Sequence, residues 1–242
     1  QYNCDDMEAV HYREDWSTQK PKEAITHRIS KDEKIQNIED HLLEYVLNNC
    51  PPNDPQKAID AIDEFCFKYW MMNLGPEKAE IVLGALKKIH PKVLVEIGGY
   101  CGYSALTFAA NTPADTAIYT VEVNEKFAGI ARKILDHAGV GKKVTFFIGD
   151  VQAGKDKLKA LGHIDFLFID HIKDAYLSDF KIIESLGVIQ PGSVVVGDNI
   201  IQPGAPDYLQ HFKERKDYNS VLYHAYIEYW TTPDGVLVSV KQ

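Results

Sequence analysis

The fold is decided by residues 93–104, which read Val93-Leu94-Val95-Glu96-Ile97-Gly98-Gly99-Tyr100-Cys101-Gly102-Tyr103-Ser104. The β-branched run predicts a buried parallel strand, and the glycines that follow predict a tight turn opening a helix. A turn of this kind suits a nucleotide-like ligand lying over the N-terminus of a helix. The spacing differs from the dinucleotide fingerprint GxGxxG, because Tyr100 stands where the middle glycine belongs.

Strands and helices alternate after this turn, with short connections. The pattern predicts strands over 117–123, 144–148, 164–169 and 193–196, and helices over 125–138, 152–161, 175–187 and 207–215. Two β-rich segments, 221–229 and 236–240, close the chain through Pro233-Asp234-Gly235 and predict an antiparallel edge. The predicted fold class is α/β, a doubly wound, mostly parallel seven-stranded sheet with an antiparallel C-terminal edge and N-terminal cap helices.

Three helices are predicted before the first strand. Apolar residues recur at helical spacing over 35–49, and Asp54 is a plausible N-cap for a second helix that opens at Pro55. A third helix ends before Pro91. We therefore predict one domain over 35–242, with a helical cap over 35–90 and a sheet core over 91–242. The polar segment 1–34 is interpreted as a mobile arm or short accessory helix, with a dimerisation arm as the alternative.

Composition narrows the class of protein. The 242 residues carry a net charge of −9, which argues against nucleic acid as the main partner. The four cysteines, at positions 4, 50, 66 and 101, form no CxxC or CxH cluster and are interpreted as reduced thiols. No apolar run approaches the roughly 20 residues that cross a bilayer, and no signal peptide is visible. These features predict a cytoplasmic protein with no membrane partner, acting as a monomer or weak homodimer.

Ligands of such sheets bind outside the carboxyl ends of the strands, so polar residues there carry the functional prediction. Glu122 closes the second strand, where an acidic residue can accept the ribose hydroxyls of an adenosine cofactor. Asp150 follows the third strand. It is interpreted either as the N-cap of the next helix or as part of a segment bracketing an adenine.

Oxygen donors follow the next two strands. Asp170 comes after the fourth strand, and Asp198 and Asn199 come after the fifth. Each of these two segments alone is typical of helix caps and turns, but together they offer a set of hard oxygen ligands that suits Mg²⁺. Lys173 lies beside them and is either a surface lysine or a general base. The sequence therefore predicts a magnesium site with a base next to it.

Two other stretches bear on a ligand site. Glu228 lies in a strand-like apolar segment, where a charge needs a partner, either a substrate hydroxyl or a structural arginine. The stretch Trp70-Met71-Met72-Asn73-Leu74-Gly75-Pro76 is predicted to be an apolar loop that belongs to the core, with a pocket wall as the alternative.

Taken together, these motifs resemble the catechol O-methyltransferases within the S-adenosylmethionine-dependent methyltransferases, over roughly residues 36–240. The resemblance rests on several motifs in the same order, namely Trp70-x-Met72-Asn73-x-Gly75, Glu96-x-Gly98-x-Tyr100-Cys101-Gly102-Tyr103-Ser104, Asp170-His171-x-Lys173-Asp174, Asp198-Asn199 with Pro203-Gly204, and Glu228-Tyr229. It implies the Rossmann-like fold of class I methyltransferases and Mg²⁺-dependent methyl transfer from S-adenosylmethionine to one hydroxyl of a small catechol.

The resemblance also implies residue roles. Asp170, Asp198 and Asn199 would hold Mg²⁺, Lys173 would be the general base, and Glu228 would accept the hydroxyl that is not methylated. The implied substrate contacts are Trp70, Met72, Asp170, Lys173, Asn199, Pro203 and Glu228. The implied cofactor contacts are Met72, Asn73, Leu74, Glu96, Gly98, Tyr100, Gly102, Tyr103, Ser104, Glu122, Val123, Gly149, Asp150, Val151, Gln152, Asp170, His171 and Ile172.

Two positions depart from the family pattern. Ile172 stands where the family commonly has a tryptophan beside the adenine, and Val151 stands where a serine contacts the same region. Three alternatives remain open on the sequence: an O-methyltransferase for another vicinal diol of caffeoyl or flavonoid type, a non-catalytic domain that binds S-adenosylmethionine or a protein partner, and a dinucleotide oxidoreductase. Tyr100 in place of the middle glycine argues against the last.

Overall fold

The computed structural model describes residues 36–242, and the predicted N-terminal arm lies outside this range. In chain order the helices and strands are α1 (Ile38–Asn49), α2 (Pro55–Lys68), α3 (Pro76–Ile89), β1 (Val93–Ile97), α4 (Tyr103–Asn111), β2 (Ala117–Glu122), α5 (Glu125–His137), β3 (Val144–Ile148), α6 (Val151–Ala160), β4 (Phe166–Ile169), α7 (Tyr176–Ser185), β5 (Val194–Gly197), α8 (Pro206–Glu214), β6 (Tyr218–Tyr226) and β7 (Pro233–Lys241).

Local sequence signals explain several helix starts. The Asp54 carboxylate accepts a hydrogen bond from the Lys57 backbone N–H at 3.0 Å, and Pro55 occupies the first helical position of α2. Asp150 caps α6 in the same way, accepting from the Ala153 N–H at 2.7 Å. Because an N-cap carboxylate satisfies a backbone donor that the helix leaves free, both starts could be read from the sequence.

The seven strands form one sheet in the order β3-β2-β1-β4-β5-β7-β6. Strands β1 to β5 are parallel to their neighbours in this group, whereas β7 pairs antiparallel with both β5 and β6. This topology confirms the predicted fold class. The chain order reverses between β1 and β4, and such a switch point opens a crevice at the carboxyl ends of the strands.

The strand register brings the predicted site residues together. Val121 of β2, Ile97 of β1, Ile169 of β4 and Gly197 of β5 lie side by side across the sheet. The residues that follow them therefore leave the sheet along one edge, although they are up to 100 positions apart in sequence (98 to 198).

Helices cover both faces of this sheet. Helices α1 to α5 pack with one set of buried apolar residues, and α6 to α8 pack with a second set on the other face. The apolar positions that recur at helical spacing in the sequence supply these faces. Within residues 36–242, no helix has the length and apolar character that a bilayer crossing requires.

The C-terminal hairpin differs from the prediction. Pro233, Asp234 and Gly235 pair with Tyr226, Ala225 and His224 inside the β6–β7 ladder, so they are strand residues and do not form the connecting turn. The connection is residues 227–232, and Glu228 lies in it instead of in a strand. The prediction was wrong because Pro-Asp-Gly is typical of turns. Here Pro233 is the first residue of β7, and the first position of a strand tolerates proline.

Candidate active site

One large cavity of about 830 Å³ opens at the carboxyl ends of β1, β2, β4 and β5. Most of the predicted site residues line it: Trp70, Met72, Asn73, Gly98, Tyr100, Glu122, Val123, Gly149, Asp150, Val151, Gln152, Asp170, His171, Ile172, Lys173, Asn199, Pro203 and Glu228. The sequence did not single out Phe127, Asp179, Gln202 or Ile227, which line it as well. The volume is in the range of small-molecule and cofactor sites.

Six predicted site residues lie outside the wall of this cavity: Leu74, Glu96, Gly102, Tyr103, Ser104 and Asp198. Leu74 and Tyr103 are buried in the core, and Gly102 is the N-cap of α4. The cofactor contacts of the first five and the metal contact of Asp198 stay predictions. Glu96 and Asp198 are buried directly behind residues that do line the cavity, and their environments are described below.

The glycine turn after β1 forms one end of the cavity. Gly98 has a φ of +94°, and a Cβ built on it would lie 2.4 Å from the backbone oxygen of Asp170. No other residue fits this position, since the turn packs directly against the segment after β4. Gly98 therefore brings the two strand ends together, in addition to any role toward a ligand.

Glu122 holds the same turn from β2. Its Oε2 accepts hydrogen bonds from the backbone N–H groups of Gly99 at 3.0 Å and Tyr100 at 2.8 Å. Its Oε1 accepts from the Asn124 N–H at 2.8 Å. Each carboxylate oxygen carries further lone pairs. The carboxylate is thus fixed by backbone donors at the cavity wall and can still accept from a ligand hydroxyl.

Glu96 is fully buried behind this turn. Its carboxyl accepts hydrogen bonds from the hydroxyls of Ser104 and, at 2.8 Å, Thr120. Burial raises the pKa of Glu96 to about 7, although the two hydroxyl donors oppose the shift. No cation hydrogen-bonds to this carboxyl in the part of the chain that the structure describes, so its charge is balanced by proton uptake near neutral pH.

His171 and Asp179 form the wall of the cavity after β4. His171 Nε2 lies 2.8 Å from Asp179 Oδ2, and the imidazole stacks on the Tyr176 ring. Burial lowers the pKa of His171, so the ring is mainly neutral at pH 7. Its Nδ1 is buried without a hydrogen-bond partner among residues 36–242. Such a nitrogen is available to a bound ligand.

The side chains around the cavity mouth are apolar. Met72 and Ile172 are 59% and 69% exposed, and Trp70 and Pro203 also line the opening. The neighbours Met71 and Leu74 are buried in the core. The apolar loop over 70–76 therefore serves both of the roles considered for it, core and pocket wall. Ile172 offers only an aliphatic surface where the family pattern has an aromatic ring.

The predicted metal ligands lie on the β4–β5 side of the cavity, here called the metal end, where Asp170 also borders the glycine turn. Asp170 Oδ1 accepts from Lys173 Nζ at 2.8 Å, and the same Nζ lies 2.5 Å from the Tyr176 hydroxyl. The Tyr176 hydroxyl also donates to the backbone oxygen of Asp198 at 3.0 Å. Tyr176 thus ties the segment after β4 to the segment after β5.

Asp198 is almost completely buried. Its Oδ2 accepts from Lys78 Nζ at 2.8 Å, whereas its Oδ1 has no hydrogen-bond partner among the described residues. Burial raises the pKa of Asp198, and the Lys78 ammonium opposes that shift. An orphaned buried carboxylate oxygen is costly unless a cation or a donor reaches it.

Lys78 is the central residue of this end, and the sequence prediction missed it. Its Nζ donates to Asp198 Oδ2, to Glu228 Oε2 at 3.1 Å and to Asp234 Oδ2 at 3.2 Å, and the side chain is buried. The three carboxylates raise the pKa of Lys78 against the effect of burial. Glu228 therefore has a structural cation as partner, and this cation is a lysine of α3, whereas the sequence analysis considered a substrate hydroxyl or an arginine.

The donor set at this end fits a hard divalent cation. Asp198 Oδ1 is free, and Asn199 donates its Nδ2 to Asp234 Oδ2 at 2.8 Å, which leaves the Asn199 carbonyl oxygen for a ligand. Within residues 36–242 no group of three His, Cys, Asp or Glu side chains forms a metal site. The candidate site here has only the carboxylates of Asp170 and Asp198, together with the amide oxygen of Asn199. Mg²⁺ typically keeps several waters and needs few protein ligands.

Comparisons with known proteins agree on one family. The sequence profile described as O-methyltransferase matches residues 58–216. Catechol O-methyltransferase of mouse (Mus musculus) is 36% identical over 208 residues, covering 84% of this chain and 78% of the mouse protein. Catechol O-methyltransferase B of Danio rerio is 36% identical over 203 residues, covering 82% of this chain and 77% of the relative.

A solved structure matches the fold. The O-methyltransferase from Bacillus cereus in complex with SAH superposes with a TM-score of 0.67, covering 84% of this chain and 97% of that protein. The two sequences are 19% identical, so this likeness speaks for the architecture alone.

Proposed function

The chain belongs to the O-methyltransferase family, and we propose that within it the protein is an S-adenosylmethionine-dependent catechol O-methyltransferase that requires Mg²⁺. The reaction joins the methyl carbon to one catechol oxygen and breaks its bond to sulfur. The sulfur keeps the bonding electron pair. The products are a mono-O-methylated catechol and S-adenosylhomocysteine.

One observation carries this proposal. The same cavity has the Glu122-held glycine turn at one end, and Asp170, Asn199 and Lys173 with buried Asp198 behind them at the other. A cofactor at the first end and a diol at the second would share one enclosed space. Holding two reactants in this way can lower the barrier by several kcal/mol through orientation alone.

The chain's own residues have distinct roles in this reaction. Asp170, Asp198 and Asn199 would hold Mg²⁺, which supplies a Lewis acid that stabilises the catecholate oxygen. The proton of the reacting hydroxyl goes to Lys173, whose Nζ hydrogen-bonds to Asp170 and Tyr176. Glu228 accepts the second hydroxyl, and Trp70 and Pro203 hold the ring at the cavity mouth.

The residues that we propose to bind the cofactor line the opposite wall of the cavity. Glu122 accepts ribose hydroxyls, and the segment Gly149–Gln152 together with Ile172 borders the adenine. The side chains of Val151 and Ile172 give this border an aliphatic surface. The methionine end lies over the glycine turn, where backbone groups and the N-terminus of α4 favour the carboxylate. The methyl is then directed toward the end that holds Lys173.

A methylation assay tests the proposal. The protein is incubated with S-adenosylmethionine and a simple catechol, a caffeoyl substrate or a catechol flavonoid, with Mg²⁺ or with excess chelator. We expect a mono-methylated product only with Mg²⁺, identified by mass spectrometry, and the highest kcat/KM for the simple catechol. Full activity in chelator overturns the metal requirement, a flavonoid preference favours the related vicinal-diol enzyme, and cofactor binding with no turnover on any diol favours a binding domain.

The same assay on Lys173→Ala tests the proposed base. Loss of a general base typically costs about 10²–10⁴-fold in rate, so we expect turnover to fall in that range while S-adenosylmethionine affinity stays within about two-fold. The control is Lys181→Ala, a substitution on the exposed side of α7. Unchanged turnover in Lys173→Ala removes it as the base.

We also propose a cytoplasmic protein that works as a monomer or weak homodimer. Cys50, Cys66 and Cys101 are all free thiols, which agrees with a reducing compartment. The net charge of −9 supports a small-molecule substrate over nucleic acid.

A further inference from the structure

Asp234 is a fully buried carboxylate that does not itself line the cavity, yet it accepts four hydrogen bonds at the metal end. Its Oδ2 accepts from Asn199 Nδ2 at 2.8 Å and from Lys78 Nζ at 3.2 Å. Its Oδ1 accepts from the backbone N–H groups of Gln202 at 3.0 Å and Ile201 at 3.3 Å. Burying a carboxylate costs free energy unless hydrogen bonds compensate for the lost water, and Asp234 receives four of them. The groups that donate these hydrogen bonds therefore indicate the role of Asp234.

The contact with Asn199 determines which atom of that amide faces the cavity. An amide has one donor end and one acceptor end. Because Asp234 takes the Nδ2 end, the carbonyl oxygen of Asn199 is the end left for a cation. If the amide were turned over, an N–H group would face the cation and repel it. Asp234 thus makes Asn199 an oxygen ligand.

The contacts with Ile201 and Gln202 act on a different part of the site. Both residues belong to the loop Ile200–Gly204, here named the clamp loop, which also contains Pro203. Two backbone donors of this loop end on the same carboxylate oxygen. Since Pro203 lines the cavity mouth, Asp234 determines the position of one wall of the ring site.

Lys78 connects Asp234 to a second metal ligand, Asp198. Its ammonium joins Asp234 to Asp198 and Glu228, so one cation contacts three buried carboxylates. Side chains that orient metal ligands from behind are worth about 10–100-fold in metal affinity when they are replaced. Asp234 has the contacts expected of such a residue and, in addition, holds the loop that borders the substrate.

We propose that Asp234 is a positioning residue that sets the metal ligand Asn199 and the clamp loop together, through hydrogen bonds to the Asn199 amide and to the Ile201 and Gln202 backbone. This inference rests on the proposed function, because it assumes that a divalent cation binds at Asp170, Asp198 and Asn199. The binding of the metal and the organisation of the ring site would then be coupled through one carboxylate.

The test measures metal binding without turnover. Mn²⁺ is titrated by electron paramagnetic resonance into the full chain with S-adenosylhomocysteine bound and no catechol present, for wild type and Asp234→Asn. An asparagine at 234 presents its amide N–H either to Asn199 and Lys78, which turns the Asn199 amide over, or to Ile201 and Gln202, which releases the loop that follows Asn199. We expect at least ten-fold weaker Mn²⁺ binding, with S-adenosylhomocysteine affinity unchanged within two-fold.

Asp165→Asn is the matched control. Asp165 Oδ2 also accepts two backbone N–H groups, from Lys92 at 2.9 Å and Val93 at 2.8 Å, but at the amino end of β1. A general structural effect of losing such a carboxylate appears in both variants as a lower melting temperature. Only Asp234→Asn is expected to weaken Mn²⁺ binding.

The outcomes separate the inference from the proposed function. If wild type binds no Mn²⁺, the proposed metal requirement fails and the inference falls with it. If wild type binds Mn²⁺ and folded Asp234→Asn loses less than ten-fold in affinity, the inference alone is overturned.

A second variant decides the case in which Asp234→Asn does not fold. The exchange Asn199→Asp with Asp234→Asn restores a donor–acceptor pair in the opposite direction and keeps the total charge. We expect it to fold and to bind Mn²⁺ within about three-fold of wild type. An exchange variant that stays unfolded, or folds without binding Mn²⁺, overturns the inference.

Discussion

The two ends of the cavity are built in different ways. At the cofactor end, Glu122 holds the glycine turn through backbone N–H groups only 22 and 23 positions away in sequence. At the metal end, Lys78 joins carboxylates 120, 150 and 156 positions away. The cofactor end is formed by one strand and the turn after the adjacent strand. The contacts of Lys78 at the metal end join α3, β7 and two loops.

The ends also neutralise buried carboxyl groups differently. Glu96, at the cofactor end, accepts hydrogen bonds from two hydroxyl groups and takes up a proton as the pH falls to about 7. Asp198, Glu228 and Asp234, at the metal end, share the ammonium of Lys78. A proton can leave with a change of pH, but a lysine held by three carboxylates stays charged. Lys78 therefore stays charged over the pH range in which Glu96 titrates, and the arrangement of the metal end depends on this lysine.

The variant Lys78→Met is expected to have the largest effect and tests whether one cation organises the metal end. Methionine has a similar length, but it leaves three buried carboxylates without their cation. Removing one partner of a buried ion pair typically costs about 3–5 kcal/mol, and we expect the free energy of unfolding to fall by that amount. Urea titration followed by circular dichroism measures it.

Lys143→Met is the control for this variant. Lys143 Nζ donates to the backbone oxygens of Ala109 at 2.7 Å and Thr112 at 2.9 Å, and none of its hydrogen bonds goes to a carboxylate. Its replacement is expected to cost about 2 kcal/mol, at the usual contribution of about 1 kcal/mol for each of these two hydrogen bonds. If the two variants lose equal stability, Lys78 is not the organising charge of the metal end.

The same contrast explains how much the sequence could predict. The glycine turn, Glu122 and the caps at Asp54 and Asp150 all depend on contacts within a few residues or between adjacent strands, and all could be inferred from local patterns. The alternation of strands and helices predicted the sheet, and the sheet brought Asp170 and Asp198 to one edge. The cavity wall followed from this order.

Lys78 and Asp234 could not be found in the same way. Lys78 lies in the first turn of an amphipathic helix, where a lysine is usually solvated, and Asp234 follows a proline in a turn-like triplet. Their pairing is set only when α3 packs against β7. One available signal was Glu228, because a charge in an apolar segment requires a partner. The sequence does not say which cation supplies it.

A second variant, Glu122→Gln, sharpens the comparison from the cofactor end. The amide nitrogen of glutamine faces backbone donors on one side of the group, so it disturbs the glycine turn and removes the charge toward a ribose. Hydrogen bonds to a charged group contribute about 1.5–3 kcal/mol, so we expect S-adenosylmethionine to bind roughly 10–100-fold more weakly by calorimetry.

Glu125→Gln serves as its control, since Glu125 is exposed in the first turn of α5, three residues along the chain. Its cofactor affinity is expected to equal that of wild type. Mn²⁺ affinity, measured with no cofactor present, should be unchanged in both variants. A Glu122→Gln protein that loses Mn²⁺ binding as well would show that the two ends are not independent.

The smallest expected effect concerns Glu96 and depends on the pH. The pKa of this carboxyl is about 7 when folded and about 4.5 when unfolded. Between these values the folded state binds more protons, so its stability is highest below the unfolded pKa and falls as the pH rises through 7. Glu96→Gln removes this contribution and leaves all other titrating groups in place. From pH 6 to pH 8, the free energy of unfolding of Glu96→Gln relative to wild type should therefore rise by about 1 kcal/mol. Urea titrations at several pH values measure the difference, and a difference that stays constant with pH would mean that Glu96 is ionised throughout and that a cation, as at the metal end, balances it.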